Sequence, residues 1–343
     1  MSINKKILVT GGLGYIGSHT VVALQEAGFE VLIIDNLSNS EVSVLEGITN
    51  ITGIEPTFEQ LELKDKNLVK NFFLRHKNIE GIIHFAASKA VSESVQNPLK
   101  YYENNLNTLI YLLKEAEEHE IKNFIFSSSC TVYGEPDNLP ITENAPVKKA
   151  TSPYGNTKQI SEEIISDTCD VTNLRSIALR YFNPIGAHHT AQIGELPVGV
   201  PQNLVPFITQ TAAGLRNELS VFGNDYDTED GSCVRDYIHV VDLANAHVVA
   251  MQRLLSEENE TSFEVFNIGT GRGCSVLEVV NAFEKINEIS LPYKIVARRS
   301  GDVVSVYADT TRANSVLGWK AQKTMEDALQ SAWKWEQKVR NLD

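Results

Sequence analysis

The sequence predicts an α/β protein built on a doubly wound parallel sheet, followed by a smaller mixed α/β domain. Two observations carry this. Through the first 180 of its 343 residues, short apolar, β-branched runs alternate with stretches of helical periodicity. Those runs are apolar nearly throughout, not at every second position, which marks strands covered on both faces.

Taken in order, the strands are expected at Lys6–Thr10, Glu30–Asp35, Gly81–Phe85, Asn123–Ser127 and Ser176–Arg180, with a weaker signal at Pro56–Leu61. Helices are expected at Tyr15–Ala27, Leu68–His76, Tyr101–His119 and Tyr154–Cys169. At Tyr181-Phe182-Asn183-Pro184 the rhythm breaks, and the Gly-, Pro- and His-rich stretch to about Pro201 reads as loop. Beyond it lie short strands near Leu219–Phe222 and Phe263–Asn267. Two late helices carry start signals, Ser275 with Glu278 and, more loosely, Thr324 with Asp327. The expected division is a nucleotide-binding unit over residues 1–180, to which part of 236–270 returns, and a unit over 181–343 that mainly holds a second ligand.

A formal net charge of −14 repels polyanions, so nucleic acid and acidic membrane surfaces are poor partners. Met1 to Lys6 lead into the first strand with no signal-type apolar stretch, and no apolar run reaches the roughly 18 residues a bilayer needs. A soluble, cytoplasmic protein is expected. Cys130, Cys169, Cys233 and Cys274 are scattered without a CxxC pair, so neither a metal site nor a disulfide framework is indicated.

The first motif is Thr10-Gly11-Gly12-Leu13-Gly14-Tyr15-Ile16-Gly17, between the first strand and the first helix. Glycine there permits a tight turn, close approach of backbone to a pyrophosphate and close helix–strand packing, while the helix start supplies amide donors. Asp35 closes the second strand, where its carboxylate can accept from both ribose hydroxyls and repel a 2′-phosphate. Together these features give a Rossmann-type unit that binds NAD in preference to NADP.

The second motif pairs Ser127-Ser128-Ser129-Cys130-Thr131-Val132-Tyr133-Gly134, after a late strand, with Ser152-Pro153-Tyr154-Gly155-Asn156-Thr157-Lys158 at a helix start. Tyr154 and Lys158 are four apart and share a helix face. A phenol of pKa about 10 is a poor base. Lys158 and an oxidised nicotinamide would be two nearby cations, expected to lower that value by roughly 1–3. Ser129 would share the hydrogen bond of the substrate hydroxyl.

These strings resemble those of the extended short-chain dehydrogenase/reductase family. His84-Phe85-Ala86-Ala87-Ser88-Lys89-Ala90-Val91, Arg180 to Pro184, Phe222-Gly223-Asn224-Asp225-Tyr226 and Val234-Arg235-Asp236-Tyr237-Ile238-His239-Val240 narrow the resemblance to its UDP-hexose 4-epimerase branch, from near the start to about Trp335. The resemblance implies NAD-dependent interconversion of UDP-glucose and UDP-galactose through a 4-keto sugar, by a homodimer joined through helices such as Tyr101–His119 and Tyr154–Cys169. It implies Ser129, Tyr154 and Lys158 as the catalytic group. It implies cofactor contacts from Gly11, Gly14, Tyr15, Ile16, Gly17, Asp35, Asn36, Phe85, Ala86, Lys89, Asn104 and Tyr181.

On the UDP-sugar side the resemblance implies Lys89, Asn183, Asn203, Leu204, Phe222, Arg235, Tyr237, Arg299 and Asp302, besides Ser129 and Tyr154. Two arginines suit a pyrophosphate through forked, charge-assisted bonds, and Phe222 offers a face to uracil. Glu62 stands where the family has an aspartate facing adenine. Val306 aligns with a sugar-pocket position that a tyrosine fills in some members, which implies acceptance of UDP-N-acetylhexosamines as well.

Cys130 reads as a packed thiol without a paired histidine. Asp225 to Asp236 fails as a calcium loop, and His188-His189 reads as a solvated turn. Three rival functions share the fold. A 4,6-dehydratase would need a carboxylate pair where this chain has Cys130-Thr131. A uronic-acid epimerase would draw an extra cation from a loop. A non-catalytic NAD sensor would be expected to lack the Tyr154/Lys158 pair or the sugar-side arginines, and all of these are present.

Overall fold

The computed structural model describes residues 5–299 and 302–342; the N-terminal residues 1–4 read above lie outside them. The first half runs β1 (Lys6–Thr10), α1 (Tyr15–Glu26), β2 (Glu30–Asp35), α2 (Val44–Thr52), β3 (Thr57–Gln60), α3 (Lys66–Arg75), β4 (Ile79–His84), α4 (Val91–Gln96), α5 (Pro98–Glu118), β5 (Asn123–Ser127), a 3-10 turn at Cys130–Tyr133, α6 (Pro153–Val171) and β6 (Arg175–Tyr181). There follow β7 (Asn183–Ile185), α7 (Leu204–Ala212), β8 (Leu219–Phe222), β9 (Val234–Arg235), β10 (Tyr237–His239), α8 (Val240–Leu255) and β11 (Phe263–Ile268). The chain ends with β12 (Cys274–Ser275), α9 (Val276–Asn287), β13 (Tyr293–Val296), β14 (Ser305–Val306), α10 (Thr311–Ser315) and α11 (Met325–Arg340).

Seven parallel strands form the main sheet in the order β11-β6-β5-β4-β1-β2-β3. Alternate residues of each strand serve opposite faces. Ile7, Val9, Ile33, Ile83, Ile125 and Ile177 pack with α1 and α8, while Leu8, Leu32, Ile34, Ile82, Phe124 and Phe126 pack with α3, α5 and α6. Both faces are thus apolar, which is why the strands read as unbroken runs. After β1 the chain winds outward to β2 and β3, then returns to β4 on the other side of β1. That reversal opens a crevice at the carboxyl ends of β1 and β4, where folds of this kind bind ligands.

The remainder builds a second core from Val205, Ile208, Leu219, Val221, Val279, Val280, Phe283 and Leu329. Both late start signals form full capping boxes, Ser275 with Glu278 and Thr324 with Asp327; each cap is worth about 1 kcal/mol. The stretch after Tyr181 is not all loop: Asn183–Ile185 pairs in parallel with Tyr237–His239 as a separate two-stranded sheet. Among the described residues no helix is long and apolar enough to cross a membrane.

Candidate active site

The glycine turn shapes the crevice floor. Gly11 has φ +71°, and a Cβ there would lie 2.8 Å from the Ala86 amide nitrogen, beyond the end of β4. At Gly17 a Cβ would sit 2.1 Å from the Gly11 carbonyl oxygen, so any side chain would push α1 off β1. Gly14 caps α1 without a side chain, and the first turn holds no acidic residue, leaving its amides to an anion. A diphosphate fits this cradle. Tyr15 anchors the turn by donating to the Gly186 carbonyl at 2.6 Å, and Ile16 packs on the core.

Asp35, 8% exposed, accepts from the Leu13 amide (3.1 Å), the Leu37 amide (2.9 Å) and the Ser40 hydroxyl (2.8 Å), which holds it at the tip of β2 beside the glycine turn. Next to it, Asn36 donates to Glu62 at 3.0 Å, so the longer acid is tied to the adjoining loop. The Phe85 ring lies 4.6 Å from that of His247, and Asn104 donates to Asn105 at 3.0 Å. Lys89 faces Glu195 at 3.8 Å.

Past β5 the chain bends through Ser127 to Ser129. Ser129 caps the 3-10 turn, accepting from the Thr131 amide (3.2 Å) and hydroxyl (3.0 Å). Ser152 caps α6 by accepting from the Gly155 amide at 3.1 Å, which turns Tyr154 and Lys158 inward; they are 7% and 5% exposed. The Lys158 ammonium lies 5.9 Å from the centre of the Tyr154 ring and donates to the Ser127 carbonyl at 2.6 Å. Tyr181 at the end of β6 accepts from the Ser127 hydroxyl at 3.1 Å.

The expected lowering of Tyr154 joins two cations, Lys158 and an oxidised nicotinamide, and the protein supplies the first of them. Among the protein's own groups, Tyr154 is not lowered towards neutrality: burial pushes it well above the phenol range, Tyr181 adds to this, and hydrogen bonding with Ser129 only partly opposes it. Lys158 is itself pushed down to about 8 by burial, against the pull of Glu162. A desolvated lysine whose proton is engaged by a carbonyl cannot by itself ionise a buried phenol. A second positive charge beside the ring would act in the direction that burial opposes.

On the far side, β9 and β14 run side by side, pairing Arg235 with Val306. Asp302 gathers both arginines, with Arg299 at 2.7 Å and Arg235 at 3.7 Å. Phe222 ends β8 with 40% of its surface exposed, and the Arg299 guanidinium lies 5.5 Å from its ring. Asn183 donates its amide to the Asp236 carbonyl at 2.9 Å, and buried Tyr237 follows. Asn203 starts α7 ahead of half-buried Leu204 and donates to Glu195 at 2.7 Å. Val306 packs with Val132, Tyr133 and Phe182 beside Cys130, whose thiol burial pushes up to about 12 while Arg235 opposes it. Through Val306 and Cys130, Arg235 therefore borders the bend after β5, and Asp302 brings Arg299 to the same side.

Sequence reasoning passes over Glu195, a loop acid whose carboxyl burial pushes up and which joins Lys89 to Asn203. It also passes over Asp236, fully buried, which accepts from the amides of Thr270, Gly271 and Ala308 and so fixes the loops around Arg235. An acid within a run of apolar and aromatic residues is the available signal. His188 is not in the solvated turn expected of it; it is 6% exposed and pushed down to about 4 by burial, because residues 186–193 fold back under α11. Among the described residues no cluster of His, Cys, Asp and Glu could hold a metal ion.

Known proteins resemble the chain along nearly its whole length. Residues 8–332 match the family model described as GDP-mannose 4,6 dehydratase. The UDP-glucose 4-epimerase of Haemophilus influenzae is 49% identical over 331 residues, 96% of this chain and 97% of its own. A UDP-glucose 4-epimerase structure from Stenotrophomonas maltophila, with bound NAD and formylated UDP-arabinopyranose, superposes with a TM-score of 0.95 at 44% identity over 99% of this chain and 100% of that one. Another from Bifidobacterium longum, in complex with NAD+ and UDP, gives 0.93 at 44% identity over 98% and 99%.

Proposed function

Since the chain belongs to the family that the dehydratase model describes, in its branch of UDP-glucose 4-epimerases, we infer that it interconverts UDP-glucose and UDP-galactose with NAD as cofactor. The observation that carries this is the meeting of Ser129, Tyr154 and Lys158 at the carboxyl edge of the sheet, with a diphosphate cradle on one side and two arginines on the other.

Gly11, Asp35 and Ala86 border the crevice that would hold NAD, which would supply a reversible hydride acceptor and a positively charged ring. The protein does the rest. Tyr154 takes the proton of the hexose 4-hydroxyl, with Ser129 hydrogen bonding to the same oxygen, and returns it after the 4-keto sugar has turned its other face. Lys158 and the cofactor ring together favour the phenolate that burial opposes. Arg235 and Arg299 clamp the pyrophosphate, Phe222 takes the uracil and Asp302 its ribose. Tight holding of UDP and a loose hold on the hexose let the sugar turn without leaving.

Asn36, Glu62, Phe85, Lys89, Asn104 and Tyr181 are assigned to the cofactor side, and Asn183, Asn203, Leu204 and Tyr237 to the nucleotide-sugar side. Residues 1–180 with part of 236–270 form the NAD unit in this reading, and 181–343 mainly the UDP-sugar unit. Elimination of water, the dehydratase outcome, has no support at Cys130-Thr131, which offers no carboxylate. A cytoplasmic homodimer completes the proposal. Four free cysteines suit a reducing compartment, and α5 and α6 leave Leu106, Ile110, Tyr111, Ile160 and Ile164 only partly covered.

The test is to incubate purified protein with UDP-galactose, with and without added NAD, and identify the sugar nucleotides formed. UDP-glucose is expected. Its absence under both conditions, with the protein folded, sinks the assignment.

A further inference from the structure

Beneath the catalytic face of α6 lies a buried ion pair that the mechanism above does not use. Glu162 follows Lys158 by four residues and Tyr154 by eight, so all three side chains leave the helix on one side. It is 6% exposed. Arg180 on β6 grips it with a fork, Nη2 at 2.6 Å and Nε at 3.0 and 3.2 Å from its two oxygens. The Ser128 hydroxyl donates to the same carboxylate at 2.5 Å.

Ser128 sits between the two residues that matter most in the bend. Its predecessor offers the carbonyl that accepts the Lys158 hydrogen bond, and its successor is Ser129. The Ser128 amide donates to the carbonyls of Phe126 and Leu179, both at 3.0 Å. The bend is therefore held from the sheet by main-chain bonds and from α6 at two points, Lys158 on Ser127 and Glu162 on Ser128.

We propose that Glu162, clamped by Arg180, is a positioning residue for epimerisation: it fixes the Ser127–Ser129 bend through Ser128 and supplies the counter-charge that keeps Lys158 an ammonium beneath Tyr154. The proposal rests on the roles assigned above to Ser129, Tyr154 and Lys158.

The surroundings leave few other sources for that counter-charge. The titratable groups around Lys158 are Tyr154 and Glu162 on α6, His84 at the end of β4, Tyr133 in the 3-10 turn, and Arg180 and Tyr181 on β6. His84 is pushed down to about 3 by burial, with Lys158 adding to the effect, and is neutral. Burial raises all three tyrosines. Glu162 and Arg180 are the charged members, and Glu162 is the one that pulls Lys158 upward against its desolvation. A buried pair of this kind is weak as a source of stability, because removing two ions from water costs about what their attraction returns. Its value here is placement and charge.

The test is Glu162→Gln in the NAD-loaded protein, followed by kcat, KM and their pH profiles with UDP-galactose. Glutamine keeps the shape and an acceptor for Ser128 but removes the charge. The expected result is a fall in kcat of about 10- to 100-fold with little change in KM. The alkaline limb of the kcat profile is expected to move to lower pH, because Lys158 surrenders its proton earlier. An independent readout is the Lys158 titration by NMR of lysine-labelled protein, assigned with Lys158→Met, which is expected to shift to lower pH in Glu162→Gln.

If Glu162→Gln fails to fold, Glu162→Gln combined with Arg180→Met removes the guanidinium that would lose its partner while still depriving Lys158 of its counter-charge, and is read the same way. Unchanged kcat, pH limb and lysine titration in a folded variant overturn the proposal, while the loss of activity in Tyr154→Phe keeps the broader reading standing. Full activity in Tyr154→Phe removes both.

Discussion

Lys158 holds its ammonium 5.9 Å from the centre of the Tyr154 ring yet spends its hydrogen bond on the Ser127 carbonyl. It makes no hydrogen bond to the phenol, which burial pushes well above its ordinary value. Two consequences can be measured. Tyr154→Phe is expected to lower kcat by roughly 10²- to 10⁴-fold, the usual worth of a positioned acid/base group, with KM little changed. In protein stripped of its dinucleotide, the ultraviolet difference between wild type and Tyr154→Phe is expected to show no phenolate at pH 8, since the phenol stays protonated below its raised pKa. Phenolate absorbance at that pH would mean that Lys158 alone suffices.

Asp302 lies between two guanidinium groups, bonded closely to Arg299 and more loosely to Arg235. It limits their motion and keeps two cations close in a chain of net charge −14. A charge-assisted bond to phosphate is worth about 1.5–3 kcal/mol. Arg235→Ala is accordingly expected to raise KM for UDP-galactose, and the inhibition constant of UDP, by roughly 10- to 100-fold, with kcat within a few-fold of wild type. A variant that binds UDP normally but turns over slowly would move Arg235 from anchoring to chemistry.

Much of this arrangement is legible in the chain because it is local. The glycine turn, Asp35 at the end of β2 and the Tyr154/Lys158 spacing each depend on a few consecutive residues, and β1, β2 and β5 fall where the apolar runs end. Helix α8 escapes the sequence pattern for a physical reason: it packs on the sheet beside α1 with most of its residues buried, so few polar residues mark its period. Strand β4 starts two residues before its apolar run suggests, because exposed Glu80 interrupts that run, while Gly81 lies against Met251. The sign of the Tyr154 shift cannot be read from sequence either, since burial of a side chain is a property of the assembled fold. Glu162 does carry a signal, an acid at helical spacing from Lys158, but an acid on a helix is ordinarily solvated.

Val306 bears on substrate size. It lies on β14 opposite Arg235 and packs, partly exposed, with Val132, Tyr133 and Phe182. A tyrosine there would add an aromatic ring beside the catalytic bend. Wild type is expected to epimerise UDP-N-acetylglucosamine, and Val306→Tyr to lose that activity while retaining UDP-galactose turnover. Product analysis with both substrates before and after the change decides it. No activity on the N-acetylated sugar in wild type would show that neighbouring side chains already fill the space.

His84 gives a prediction about acid stability. It is 3% exposed at the end of β4, hydrogen bonded through Nδ1 to the Thr10 hydroxyl at 2.7 Å, with the Phe124 and Phe126 rings nearby. Burial, assisted by Lys158, pushes it down to about 3, against about 6.5 in an unfolded chain. Between those values the unfolded state binds a proton that the folded state refuses. A depressed pKa contributes stability that is complete above about 6.5 and is lost as pH falls towards 3, by at most about 1.4 kcal/mol per pH unit. His84→Gln retains hydrogen-bonding groups but does not titrate. It is expected to be less stable than wild type at pH 7.5, with the gap closing by about 2 kcal/mol at pH 5. Carboxyls such as Glu195 and Asp236, which burial pushes up, act in the opposite direction. They are common to both proteins and cancel in the difference. Urea unfolding of the pair at the two pH values measures it, and a gap that stays constant would mean that His84 takes up its proton without leaving the fold.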